Sequence, residues 1–111
     1  MSHQQFQKCI DACVACAAAC NHCATSCLQE DDVKMMALCI QLDLECAAIC
    51  RAAAEVMTLS SGYSAHLCRI CADVCKACAD ECAKHDMEHC QTCAEACRRC
   101  AEACAQMATA V

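Results

Sequence analysis

Cysteine returns along this chain at steps of three and four residues, and that periodicity constrains the fold more than any other feature. The nineteen cysteines fall in four groups: Cys9, Cys13, Cys16, Cys20, Cys23 and Cys27; Cys39, Cys46 and Cys50; Cys68, Cys71, Cys75, Cys78 and Cys82; Cys90, Cys93, Cys97, Cys100 and Cys104. Alternating steps of three and four are the a/d spacing of a heptad, which puts each group in one stripe on one helix. The second group skips a position, and Asp43 stands in it, four after Cys39 and three before Cys46. Breaks between the groups carry stop and start signals. Glu30-Asp31-Asp32 and Lys84-His85-Asp86 offer N-caps at Asp31 or Asp32 and at Asp86, with Glu88 in the turn that follows. Leu59-Ser60-Ser61-Gly62 makes the remaining break. The spacing predicts helices near 3–28, 32–58, 63–84 and 87–108. Short connections between four helices imply an all-α, antiparallel up-down-up-down four-helix bundle, a single domain over 1–111 with a cysteine-lined core.

Composition agrees and adds limits. There is no Pro and one Gly, so tight β turns have little to be built from. Phe6 and Tyr63 are the only aromatics, and large aliphatic side chains are few. A core that thin needs a further staple, and the cysteines are the candidates. The net charge of −6 and the lack of aromatics argue against a nucleic-acid partner. No apolar run is long enough to span a membrane. The opening residues Met1 to Lys8 lack the charged and apolar regions of a signal peptide, so a cytoplasmic location is expected, where structural disulfides are rare.

The thiols have several conceivable uses. Neighbours at i and i+4 on a helix stand about 5–6 Å apart at Cβ, whereas a disulfide needs about 3.8 Å, so no stripe can cross-link itself and only disulfides between helices stay open. Iron–sulfur motifs wrap a cluster with a loop, and no such run occurs. The C-x-x-C pairs 13/16, 20/23, 68/71, 75/78, 90/93 and 97/100 fall in mid-helix, away from the N-terminus that would activate a redox thiol. Buried Cys often acts as a small hydrophobe, but leucine would bury more area at each of these positions. Metal binding remains. Thiolate selects soft ions, Cu(I) foremost, and the eight C-x-x-x-C pairs 9/13, 16/20, 23/27, 46/50, 71/75, 78/82, 93/97 and 100/104 can each swing two sulfurs onto one ion. Zn(II) wants four ligands in a tetrahedron, and the continuous stripes are not broken into fours. Buried thiolates need compensating charge; if each sulfur bridges two ions and each ion takes two sulfurs, the core holds about one Cu⁺ per thiolate. The expected activity is binding without catalysis, with many Cu(I) per chain. The alternatives are a zinc or heavy-metal buffer of metallothionein type and a thiol redox protein.

The cysteine-lined helices, with the segments Cys20-Asn21-His22-Cys23, Leu42-Asp43-Leu44-Glu45-Cys46 and Lys84-His85-Asp86-Met87-Glu88-His89-Cys90, resemble the cytosolic branch of the bacterial copper storage proteins over the whole chain. The resemblance implies a four-helix bundle storing Cu(I) in its core, assembled as a homotetramer. It also favours a role in the site for Asp43, which points into the core and must find a partner or lose its charge.

The two ends of the bundle differ. Phe6, Met57 and Met107 gather at one end as apolar bulk. Cys27, Met36, Cys82, His85, His89 and Cys90 gather at the other, which predicts a mouth where Met36, His85 and His89 join the cysteines as ligands. Met35 is adjacent to that mouth. His22 and His66 fall off the core register, and His3 stands near the start of the chain; none of the three is expected to be a ligand. Ile40, Leu44, Ile49, Ile70 and Val74 also fall off the stripe, at a density that suggests a subunit interface.

Overall fold

The computed structural model describes residues 3–109, the side chains of His3 and Gln5 excepted. Four helices run through them: α1 (His3–Cys27), α2 (Ala37–Thr58), α3 (Ser64–Cys82) and α4 (Glu88–Thr109). Each packs against its neighbour in the chain, and α4 returns to lie against α1, closing a square up-down-up-down bundle. The result is a narrow rod of 46 × 18 × 18 Å. All nineteen cysteines lie in its core, none more than 1% exposed. Beside the thiol stripes, Ala17, Ala24, Ala47, Ala54, Ala79 and Ala94 are buried as well. The side chains at a helix–helix contact set the interaxial distance, and methyl groups allow close approach. Cysteine in the centre and alanine at the flanks therefore make a core that is thin but continuous along the rod.

The expected helices are all present, with shifted ends. α2 begins at Ala37 rather than near 32, because Val33–Met36 form a turn of 3₁₀ helix first. Asp32 caps that turn, its carboxylate accepting from the Met35 N–H at 3.3 Å. The tighter winding brings Met36 fully inside while Met35 stays out. α3 ends at Cys82, and the corner into α4 is tied by Gln91, whose side-chain amide donates to the carbonyls of His85 (2.6 Å) and Ala83 (3.2 Å). At the end of α2 the Ser60 N–H bonds the Met57 carbonyl and the Ser61 N–H reaches back to that of Val56, both at 3.0 Å. That pair of bonds is a Schellman ending, with Ser60 at the left-handed position (φ 54°) usually taken by glycine. Gly62, two residues later, has no positive φ.

Candidate metal centre

The thiols crowd against one another along the rod. Seven of the eight C-x-x-x-C pairs bring their sulfurs within 3.7–4.0 Å on one helix: 16/20, 23/27, 46/50, 71/75, 78/82, 93/97 and 100/104. Contacts between helices are as short or shorter, as in Cys46–Cys75 (3.5 Å), Cys50–Cys71 (3.6 Å), Cys20–Cys97 (3.6 Å) and Cys9–Cys104 (3.6 Å). Four-sulfur groups recur along the axis, among them Cys13/Cys71/Cys100/Cys104, Cys16/Cys46/Cys50/Cys75, Cys20/Cys78/Cys93/Cys97 and Cys23/Cys27/Cys39/Cys90. A metal–sulfur bond of about 2.3 Å separates two ligand sulfurs by about 3.8 Å in a tetrahedron and about 4.6 Å on a line. The sulfurs stand close to the first spacing and need spread by less than about 1 Å to reach the second, a movement within the range of cysteine side-chain rotation.

Ionisation is shared across the network. Cys78 and Cys93 are each held below the ordinary thiol value, chiefly by hydrogen bonding with Cys20. Cys20 is pushed far up, chiefly by Cys16. At the mouth Cys39 is held down to about 3, chiefly through Cys23, while Cys82 is pushed up, again chiefly through Cys23. One thiolate is stabilised by the thiols that donate to it, and its charge keeps those donors protonated. Burial pushes Cys90 up to about 11 and raises Cys27 as well. Such a core cannot ionise as a whole by itself. A cation arriving at a thiol that is pushed up must exchange for its proton, whereas one arriving at Cys39 meets a thiolate.

Asp43 is fully buried, as its register requires. Its Oδ1 accepts from three thiols, Cys78 (3.2 Å) and Cys82 (3.4 Å) on α3 and Cys93 (3.3 Å) on α4. Its Oδ2 faces Cys39 at 3.9 Å on its own helix. Burial, and after it the charge of Cys93, push the carboxyl up to about 10. Asp43 therefore carries a proton at neutral pH and adds no charge to the core.

The two mouth histidines are placed differently. His89 turns Nδ1 toward Cys90 (3.5 Å), Cys23 (3.6 Å) and Cys27 (3.9 Å), and its Nε2 is 3.4 Å from Glu30. Its outer face lines a cleft of about 350 Å³ with His22, Ser26, Glu88 and Thr92. One ring thus touches both the thiol network and the surface. His85 is nearly buried, but its Nε2 bonds Glu81 at 2.9 Å, so its ring is engaged by a carboxylate and not by a thiol. Met36 is fully buried at this end, whereas Met35 is 57% exposed. His22 and His66 lie on the surface as their register predicts; the His3 side chain lies outside the described residues. Sequence reasoning missed both carboxylate partners. Glu81 stands at i−4 from His85 and is readable in retrospect, while Glu30 and His89 are 59 residues apart and meet only in the fold.

A model of the copper storage proteins matches residues 2–109. The chain belongs to this family. A cysteine-rich protein of Bacillus subtilis (strain 168), YhjQ, is 50% identical over 83 residues, 75% of this chain and 77% of the relative. The Cu(I)-bound copper storage protein BsCsp3 superposes with a TM-score of 0.91 at 48% identity, over 95% of this chain and 99% of that one. A cytosolic copper storage protein from Streptomyces lividans, solved with five coppers, superposes with a TM-score of 0.93 at 41% identity, over 97% of this chain and 95% of that one. The shared architecture extends over nearly the whole rod. The core cysteines are a store for multiple Cu(I) ions, the soft cation that their thiolates select.

Proposed function

We propose that the chain is a non-catalytic cytosolic store that takes up about one Cu(I) per cysteine, with Asp43, Met36, His85 and His89 completing the sites at the mouth end. The observation that carries this reading is the run of thiols, each within 4.8 Å of another, from Cys9 and Cys104 at one end through Cys39 and Cys78 to Cys27 and Cys90 at the other. Exchange of one Cu⁺ for one proton leaves the charge of a buried core unchanged, so uptake can continue until the thiols run out. His89 spans the thiols and the outer cleft and is the point of entry. His85 must first leave Glu81 before its ring is free to bind a metal. The cytosolic placement is supported by the description of the Streptomyces relative.

The homotetramer expected from the resemblance belongs to the same proposal. Leu44 (53%) and Ile70 (50%) are half exposed on α2 and α3, and Ile40, Ile49 and Val74 are only partly buried. Apolar side chains left outside the core at this density support burial against further copies of the chain.

Anaerobic titration of the reduced protein with Cu(I), against a competing chelator, tests the store. The expected end point is close to one ion per cysteine, and added Zn(II) leaves the bound copper in place. Saturation at about four or five ions, as separate four-thiolate sites would give, or displacement by Zn(II), overturns the reading.

A further inference from the structure

The end of the rod opposite the mouth holds a sulfur pair that the thiol network does not account for. Met57, one residue from the end of α2, is 1% exposed, and Cys68, in the second turn of α3, is 0% exposed. The Cys68 thiol donates to the Met57 thioether sulfur at 3.6 Å. The Cys104 and Cys9 thiols act on the ionisation of Cys68, but the contact its sulfur makes within hydrogen-bond distance is with Met57. Farther into the rod, cysteine meets cysteine. Met57 is thus more than filler, although its place at the apolar end marks it as a plug in the sequence.

A chain of bridged ions has a particular need at its ends. A thiolate inside the rod has neighbours on both sides along the axis and can bridge two ions. A thiolate at the end has neighbours on one side only. An end thiolate is therefore left with an unused bond, which lets it hold one more ion if a ligand other than cysteine stands beside it. At the mouth, the His89 Nδ1 stands 3.5–3.9 Å from three thiols. At the far end the donor within reach is the sulfur of Met57. Phe6 has none to offer, and Met107 is still 5% exposed.

We propose that Met57 is a copper ligand, forming with Cys68 a two-coordinate thiolate–thioether site for one Cu(I) at the closed end of the core. On loading, the Cys68 S–H bond breaks and its proton passes to solvent. A Cu–S bond forms in its place, and a lone pair of the Met57 thioether supplies the second bond; copper stays Cu(I) throughout. Thioether sulfur is a soft donor of the kind that ion favours. One Cu⁺ with one thiolate and one neutral thioether is uncharged, so this site needs no bridging neighbour. That suits a pair buried as fully as Met57 and Cys68, where an uncompensated charge is costly.

The proposal rests on the copper-storage reading, and loading of the parent protein is the control that separates the two. If the parent takes up no Cu(I), storage itself fails; if it loads, the fate of Met57 is decided as follows. Met57→Leu preserves volume and apolar packing, and circular dichroism of the metal-free variant checks that the bundle is intact. The variant is expected to saturate with one Cu(I) fewer per chain than the parent. In parallel, selenomethionine protein is prepared with Met36→Leu, which removes the buried methionine of the mouth, and again with Met36→Leu and Met57→Leu together. After full loading, X-ray absorption at the selenium edge is expected to show a copper neighbour in the first protein and none in the second. Full copper capacity in Met57→Leu, no copper neighbour to selenium in the first protein, or a copper neighbour that survives in the second, each overturns the assignment.

Discussion

The substitution Asp43→Asn tests the electrostatic account of the core most directly. Folding transfers this carboxyl from water, where its pKa is about 3.9, into the thiol network, where it is raised to about 10. A raised folded pKa means that the native state binds a proton that the unfolded chain releases above about pH 4. The stability linked to Asp43 is thus fully present below about pH 4 and is lost as pH rises toward 10. The loss amounts to about 1.4 kcal/mol per pH unit, and at pH 7 to about 4 kcal/mol. The replacement amide keeps an oxygen for Cys78, Cys82 and Cys93 and puts an N–H donor where the protonated carboxyl would face Cys39. It has no proton to lose. The metal-free variant should match the parent near pH 4 and grow more stable than it with each unit above, by about 4 kcal/mol at pH 7. Urea unfolding of both reduced proteins under argon, followed by circular dichroism between pH 4 and 8, measures the difference, and the thiols common to both chains cancel in it. Parallel pH profiles for the two proteins would show that Asp43 has the same protonation folded and unfolded, and would refute the argument.

Three further outcomes follow from other features. Loading in weakly buffered solution should release somewhat less than one proton per Cu(I), after correction for the competing ligand, because the thiols pushed up must exchange a proton while those held down, such as Cys39, have already lost theirs; release close to zero would mean that the thiols are ionised throughout. Leu44→Glu together with Ile70→Glu should dissociate the assembly without unfolding the rod, since both side chains are half exposed. Sedimentation velocity reads this, and a parent that is already monomeric, or a variant of unchanged mass, refutes the proposed interface. Ser60→Gly should stabilise the protein by about 0.5–1 kcal/mol, because a side chain at a left-handed φ is strained while glycine is not; a lower thermal midpoint would show that the serine contributes more than its backbone costs.

Much of the architecture was legible from the cysteine spacing. A strict three-and-four alternation admits one secondary structure and one buried face, so the four helices and every core thiol follow from it directly. Asp43 was legible in part. Its register says that it points inward, but the three thiols it accepts from lie on two other helices, and no local pattern announces them. The start of α2 was misplaced because Asp32 caps a turn of 3₁₀ helix, and propensity does not separate that turn from the first turn of an α-helix. The mouth shows the same limit. A histidine at a corner can be recognised as a possible ligand, yet whether its ring meets thiols, as His89 does, or a carboxylate, as His85 does, depends on rotamers that the fold decides.

Seven of the C-x-x-x-C pairs close sulfur on sulfur within a single helix, so the unit that holds metal is a length of helix and not a particular place in the fold. Each heptad added to all four helices in register would contribute about eight more thiols without altering a crossing angle or a loop. Storage capacity in such a protein is therefore a dimension, read along the axis like the graduation on a cylinder, and it can be enlarged by duplication of short coding segments where a pocket-based site would have to be built anew.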